Sequence, residues 1–484
     1  MSGVTAGALI GLVMVLLFAP RRWALLSMMG GVFFLTQGHS IEVGGLSLTP
    51  IRFLEIAGVV RVLVRRELVS WRPNVVDALL LLAYTYSAIV WSLRAQTFGF
   101  FQLASAIDPA LSYFIFRGLL KDVAELRSFL RGFLLLLMPF TALVVVERVT
   151  GQSPFAIVGA DPAIYFREGL PRCQGTFRHA ILMGSVAASF LPLYAGLWLG
   201  AWRRTEAALG AALCVALIVL SNSGGPLTSF VAALLGIAAW RLRGRMSFVR
   251  RTVAGLLLFM IVFMKAPIWY LPFKISEIVG GGGYHRGLLM DQAWNHMGMW
   301  WLAGMESKDT ADWFPYVLSV VQGADVTNEY LMFGLRAGLV ALVLLIALLT
   351  KAFGRLGDTL KEVRRRSSEA SADEGALWGL GVALFVHAVS WLGVGYFDQS
   401  YVIWILHIAA IAACVGSPVG VVQTAQGSAA DAGKTRKRDL TPRLRWGRGF
   451  VSPQWLPNSE APIAKGRSLG SVGAAAVSRR RWRV

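Results

Sequence analysis

The sequence predicts an all-α, polytopic transmembrane helix bundle of about 12–13 spans, and three observations lead there. Hydrophobic residues fill 56% of the 484 positions and charged residues 15%, below the roughly one quarter usual in soluble domains. The apolar residues gather into runs of roughly 16 to 24, bounded by Arg, Lys, Gly or Pro, which match the hydrocarbon thickness of a bilayer. The runs lack the period-two alternation of barrel strands, so each backbone amide must find its partner inside a helix.

In chain order the runs place spans at about 4–19, 23–37, 50–64, 75–93, 100–117, 132–147, 178–200, 206–220, 226–240, 252–267, 328–350, 374–393 and 400–416. The first has no basic residue before it and Arg21 and Arg22 after it, the reverse of a secretory signal, and is read as a retained span. Basic residues cluster in alternate connections: Arg21 and Arg22; Arg65, Arg66 and Arg72; Arg117 to Arg131; Arg203 and Arg204; Arg241 to Arg251; Lys351 to Arg366. By the positive-inside rule these connections are cytoplasmic, with the N-terminus outside and the C-terminus inside. Two long loops, 148–177 and 268–327, then face outward, and long loops that interrupt regular structure tend to carry function.

Residues 1–416 thus form a membrane domain and 417–484 a basic tail, rich in Gly, Ala, Ser, Pro and Arg, that ends SRRRWRV. The tail is expected to be disordered, cytoplasmic and held to anionic membrane lipids. The net charge of +20 is accordingly assigned to lipid contact, and no nucleic-acid partner is expected. Cys173, Cys214 and Cys414 are too few and too scattered for a disulfide framework or a metal site. There is no GxxxxGK[ST], no HExxH and no aspartate pair on an outward loop to hold a divalent ion, so neither metal nor other cofactor is expected.

The first outward loop reads YFREGLPRCQGTFRHAILMGS and carries Arg167, Arg172, Arg178 and His179 to the mouth of the seventh span. Arginines there run against the topological bias, and a guanidinium that grips phosphate through parallel hydrogen bonds supplies a reason for them. Gly175 would admit a ligand close to the backbone, and the helix start at His179 would add partial positive charge. Headgroup anchoring, or ion pairs with Glu168 and Asp161, is the competing explanation. In the second loop the spacing from Tyr284 to Trp300 and Trp301 predicts an amphipathic surface helix, with His285 and Arg286 near its start after the flexible Gly280–Gly283. His285 and His296 are more often structural than catalytic at such places. Asn328, Glu329 and Tyr330 open the following span, where polar groups can meet a headgroup. Within the spans Arg52, Glu55, Asp108, Arg336 and His387 each require a partner or a polar cavity, and Asp108 pairs with either Arg336 or Arg52.

Three stretches, RCQGTFRHAILMG, SNSGGPLTSF and the pair YHRGLLMDQAW with VTNEYLMFGLRAGL, together resemble the O-antigen polymerase and O-antigen ligase superfamily of integral membrane glycosyltransferases over about residues 50–416. The resemblance implies transfer of a glycan from undecaprenyl diphosphate to an acceptor hydroxyl on the outer face of the bacterial cytoplasmic membrane, without metal or nucleotide. It implies that Arg172 and Arg286 bind the donor diphosphate, with Arg178, His179, His285, Asn328 and Tyr330 around the substrate. Glu329, His285 or Asp325 would be the base. A chain-length regulator is a possible partner on the same ground. Family ligases usually carry His before the Asn of the last motif, and this chain has Thr327 there. Polymerisation of exopolysaccharide or O-antigen repeat units is therefore the first expectation, ligation to another acceptor the second, and a transporter or flippase of the lipid-linked glycan the rival from another class.

Overall fold

A computed structural model of the chain describes residues 2–43, 46–69, 71–94, 100–270, 283–313, 317–319, 322–366 and 371–416. The expected tail and Gly280–Gly282 lie outside the described residues. The chain is mostly helical. Helices run over α1 (Gly3–Phe18), α2 (Arg21–Phe34), α3 (Pro50–Val64), α4 (Val75–Arg94), α5 (Phe100–Leu119), α6 (Val123–Thr150) and α7 (Ala180–Leu199). They continue with α8 (Arg204–Leu220), α9 (Gly224–Ala238), α10 (Met246–Phe263), α11 (Tyr284–Asn295), α12 (Glu329–Arg366), α13 (Ala372–Ser390) and α14 (Ser400–Gly416). Three small antiparallel hairpins join them: β1 (Ile41–Val43) with β2 (Leu46–Leu48), β3 (Tyr165–Arg167) with β4 (Leu170–Arg172), and β5 (Val317–Ser319) with β6 (Gly323–Ala324).

Among the described residues six helical stretches are long and apolar enough to cross a membrane: α4, α6, α7, the stretch Gly224–Phe263, α12 and α13. A helix also occupies each of the other intervals picked out by hydropathy, α1 and α14 being shorter apolar ones. Two helices outrun their apolar runs. Helix α6 begins at Val123 rather than 132, because Asp122 caps it by accepting the Glu125 N–H at 2.9 Å and Leu126, Phe129, Leu130 and Phe133 bury one face at helical spacing. Helix α12 continues to Arg366 because Leu356, Leu360 and Val363 extend its buried stripe past the basic residues. Much of the basic sequence expected in connections is therefore helical.

The basic clusters nevertheless meet at one end of the bundle. Glu67 receives Arg61 at 3.0 Å and lies 3.6 Å from Arg21; Arg127 reaches Asp373 at 3.2 Å, Arg131 reaches Glu206 at 3.2 Å, and both Arg243 and Arg364 converge on Glu374. These contacts join alternate connections of the chain. Inside the bundle Asp108 pairs with Arg52 at 2.8 Å, not with Arg336, which lies 5.4 Å over the Trp91 ring. The fully buried Glu55 accepts from Ser112 Oγ at 2.6 Å and Tyr401 Oη at 2.7 Å. Asp108 and one carboxylate oxygen of Glu55 thus take groups on neighbouring helices as their solvent. All three cysteines are free and buried, in keeping with packing roles.

Helix α12 is broken at Ala337 and Gly338, where Gly338 adopts φ +80°, ψ −176°. The segment Trp301–Met305 wedges into the break: Leu339 N–H donates to Trp301 O at 2.8 Å and Met305 N–H to Leu335 O at 2.7 Å. Arg94 Nη1 bonds the carbonyls of Ala303, Leu335 and Arg336 at 3.0, 3.2 and 3.0 Å. One guanidinium therefore satisfies the carbonyls that the break frees. A Cβ at Gly338 would stand 2.4 Å from Leu302 O. Gly338→Ala is expected to destabilise by at least about 3 kcal/mol, from a conformation nearly exclusive to glycine plus the clash; an unchanged thermal midpoint would show that the break does not need glycine.

Candidate functional site

The loop after α6 is tied down from below. Buried Glu147 accepts the backbone N–H of Gln174 at 2.9 Å and of Gly175 at 3.0 Å, while Arg148 Nη1 donates to Pro171 O at 2.9 Å. Thr176 Oγ1 donates to Phe33 O at 3.1 Å, Gln399 Nε2 donates to Thr176 O at 2.9 Å, and Phe177 stacks edge-on against Phe33 and Phe140. Gly175 has φ +59° and a Cβ there would sit 2.6 Å from Phe140. Its missing side chain serves packing on α6, which corrects the expectation of a ligand approach. Replacing Glu147 with Ala leaves two buried N–H donors unpaired and is expected to cost about 3 kcal/mol, with faster proteolysis within 151–179; unaltered stability and cleavage would count against the anchor.

On this footing β3 and β4 present Arg172 at the end of the hairpin, paired in register with Tyr165. Its Nη2 donates to Ser223 Oγ at 2.9 Å, in the Ser-Gly turn between α8 and α9. The hairpin and that turn are further joined by Cys173 N–H to Leu220 O at 3.1 Å and by Asn222 Nδ2 to the carbonyls of Arg167 and Leu170. Arg172, Tyr165, Gln174, His179 and Ala180 line a recess of about 110 Å³. Arg172 Nε is buried without a hydrogen-bond partner, and burial, then the charge of Arg167, lowers the Arg172 pKa. His179 immediately precedes α7, and its pKa is lowered first by burial and then by Arg178 and Arg172. Arg178 is largely exposed and lies 3.7 Å from Asp398, whereas Arg167 pairs with Glu168 at 3.4 Å. Burial pushes the Cys173 thiol up to about 12, which removes it as a nucleophile.

Arg286 lies on the first turn of α11. Its Nη1 is near the position that a Cβ on Gly393 would take, at 2.7 Å, which seats the guanidinium on the turn between α13 and α14. Its Nε is also buried without a partner; burial lowers its pKa and the charge of Asp325 opposes that shift. Among the described residues neither Arg172 nor Arg286 joins an ion pair, although Asp325 acts electrostatically on both Arg286 and His179. The two loops thus bring Arg172, His179, Arg286 and Asp325 to one end of the bundle. Helix α11 stops at Asn295, a shorter element than the surface helix expected to run to Trp301, because Trp300 turns inward, 3% exposed, with Nε1 donating to Ala293 O. The side chain of His285 lies outside the described residues.

Asn328, Glu329 and Tyr330 all bond within the protein. Asn328 Oδ1 accepts the Leu331 N–H at 3.0 Å and its Nδ2 donates to Leu392 O at 3.1 Å. Glu329 Oε2 accepts the Tyr396 N–H at 2.7 Å, and Tyr330 Oη donates to Ala388 O at 2.9 Å. Asn328 and Glu329 clamp the start of α12 to the turn on which Arg286 rests, and Tyr330 ties it to the last turn of α13. That turn, Trp391–Gln399, went unnoticed in the sequence; its one signal was the string of Gly, aromatic and Asp residues in WLGVGYFDQ between two apolar runs. Below it Tyr396 Oη, His387 and His407 form a hydrogen-bonded row, at 2.8 Å between Tyr396 and His387 and 2.9 Å between the two histidines. No group of three or more His, Cys, Asp or Glu side chains among the described residues is placed to hold a metal ion. No protein-family model matches the chain, and no curated protein sequence matches it.

Proposed function

We propose that this chain is a multi-pass enzyme of the bacterial cytoplasmic membrane that polymerises undecaprenyl-diphosphate-linked oligosaccharide repeats of an exopolysaccharide or O-antigen. The site end of the bundle faces outward, the basic end inward, and about thirteen helices span. The observation that carries this reading is the pair Arg172 and Arg286: two partly buried guanidiniums that among the described residues have no carboxylate partner, each with an unbonded Nε, delivered by different loops to the same end. Burying such cations without an anion is costly, and a diphosphate supplies the missing charge in a geometry that guanidinium forks match.

In this reading the acceptor hydroxyl attacks the anomeric carbon as its bond to the diphosphate oxygen breaks. The negative charge that builds on the departing diphosphate falls between Arg172 and Arg286. The proton leaves the hydroxyl for a nearby base, and Asp325 suits that role, being exposed and close enough to influence both His179 and Arg286. Glu329 is buried and holds the Tyr396 N–H, so it positions the turn under Arg286. Ligation to a different acceptor uses the same residues and differs only in what supplies the hydroxyl.

The test is glycan chain length in cells carrying Arg172→Ala or Arg286→Ala, with membrane insertion checked separately. Accumulation of single lipid-linked repeats outside the membrane, with loss of long polymer, is the expected result. Repeats retained inside would point to transport, intact polymer joined to no acceptor would point to ligation, and unchanged polymer would sink the site.

A further inference from the structure

Helix α10 has no buried residue, and Val253, Leu256, Leu257, Leu258, Phe259 and Ile261 are exposed along it. An apolar helix of this length, Met246–Phe263, is at home in hydrocarbon, but among the described residues it lacks the close packing that fixes its companions in place. At its base, where the turn Ala239–Arg245 enters the helix, a groove of about 270 Å³ is lined by Leu242, Arg245, Phe248, Val249, Thr252 and Val253. Four of these six are apolar, and Arg245 stands at the polar rim.

The same corner carries a concentrated positive charge. Arg241, Arg245, Arg250 and Arg251 are exposed, and the sequence has no Asp or Glu between Glu206 and Glu277. Arg243 is already engaged with Glu374; among the described residues no carboxylate pairs with the other four. An apolar trough beside unpaired guanidiniums matches a molecule with an acyl chain and an anionic phosphate head.

We propose that this groove is a binding site for one anionic phospholipid, whose acyl chain lies against Phe248, Val249 and Val253 and whose phosphate is held by Arg245 and Arg250. The lipid takes the place of a neighbouring helix and braces α10 against the turn that precedes it. The site lies on a different element from Arg172 and Arg286, and its existence does not depend on the proposed reaction.

The experiment is native mass spectrometry of the purified full chain in detergent with equal amounts of phosphatidylglycerol and phosphatidylcholine of matched acyl chains. The expected result is preferential retention of phosphatidylglycerol, with R245Q/R250Q lowering that preference by about five-fold for each charge removed. Val253→Trp, which fills the trough, is expected to lower retention of phosphatidylglycerol while leaving the arginines in place. Free glycerol phosphate is expected not to compete. Equal retention of the two lipids, a preference unchanged in R245Q/R250Q, indifference to Val253→Trp, or competition by glycerol phosphate as strong as by the lipid would each overturn the site.

Discussion

Arg286→Ala is expected to slow formation of polymer by about 10²–10³-fold, the range found when a donor aimed at developing negative charge is removed. The size of the effect follows from where Arg286 sits. Its guanidinium rests on the turn at Gly393, with burial depressing its pKa and no ion pair among the described residues to satisfy it. Because no carboxylate among the described residues is left unpaired by its removal, folding stability should change by less than about 1 kcal/mol, in contrast to the loss seen when one partner of a buried pair is deleted. Arg286→Lys keeps the charge but loses the two-pronged grip, so activity between that of wild type and Ala is expected. The measurement is turnover of a lipid-diphosphate repeat by the purified protein in liposomes, alongside its thermal midpoint. Equal falls in activity and midpoint would make Arg286 a structural residue, and undiminished turnover would remove it from the chemistry.

Arg61→Ala should have the largest effect on stability, about 3–5 kcal/mol. Arg61 is 2% exposed and lies at the basic end of α3. Its Nε and Nη2 bond the two oxygens of Glu67 at 3.1 and 3.0 Å, and Nη1 bonds the carbonyls of Leu16 and Ala19 at 2.6 and 2.7 Å. The truncation therefore leaves a buried carboxylate without its closest cation and removes the donor to the Leu16 carbonyl, while Arg65 still bonds those of Phe18 and Ala19. Arg21, 3.6 Å from Glu67 and nearly half exposed, is too far and too solvated to replace it. Thermal unfolding in detergent checks the figure, and a loss below about 1 kcal/mol would mean that water or lipid satisfies Glu67 in the variant.

Helix positions were legible because hydrocarbon thickness and the helical repeat leave little freedom: the runs around α3, α4 and α8 predicted those elements nearly to their ends. Where amphipathic packing replaced lipid contact, hydropathy undershot. Val123–Arg131 and Lys351–Arg366 are polar on one face only, and a window average cannot register a one-sided stripe. Pairings across the bundle were not legible at all. Asp108 had two candidate arginines in sequence, and the relative placement of α3 and α5 selected Arg52.

At the site, Arg172 and Arg286 were visible as arginines on loops where charge bias disfavours them, but not what surrounds them. Asn328, Glu329 and Tyr330 read as headgroup contacts, whereas the first two side chains fasten α12 to Trp391–Gln399 and the third bonds the last turn of α13. That distinction is invisible in sequence because a polar residue at a span boundary looks the same whether it faces a ligand or a backbone amide.

By itself the sequence determined that this is a mostly helical protein with several helices apolar enough to cross a membrane, that its basic residues cluster in alternate connections, and that two long loops carry arginines. Those properties depend on composition and spacing, which the chain carries locally. Tertiary structure alone decided that the loops converge, that Glu147 holds one arginine's loop and the Trp391–Gln399 turn supports the other, and that α10 buries no residue among the described residues. Convergence depends on contacts between residues far apart in the chain, and in a bundle of similar apolar helices no local pattern specifies which neighbours meet.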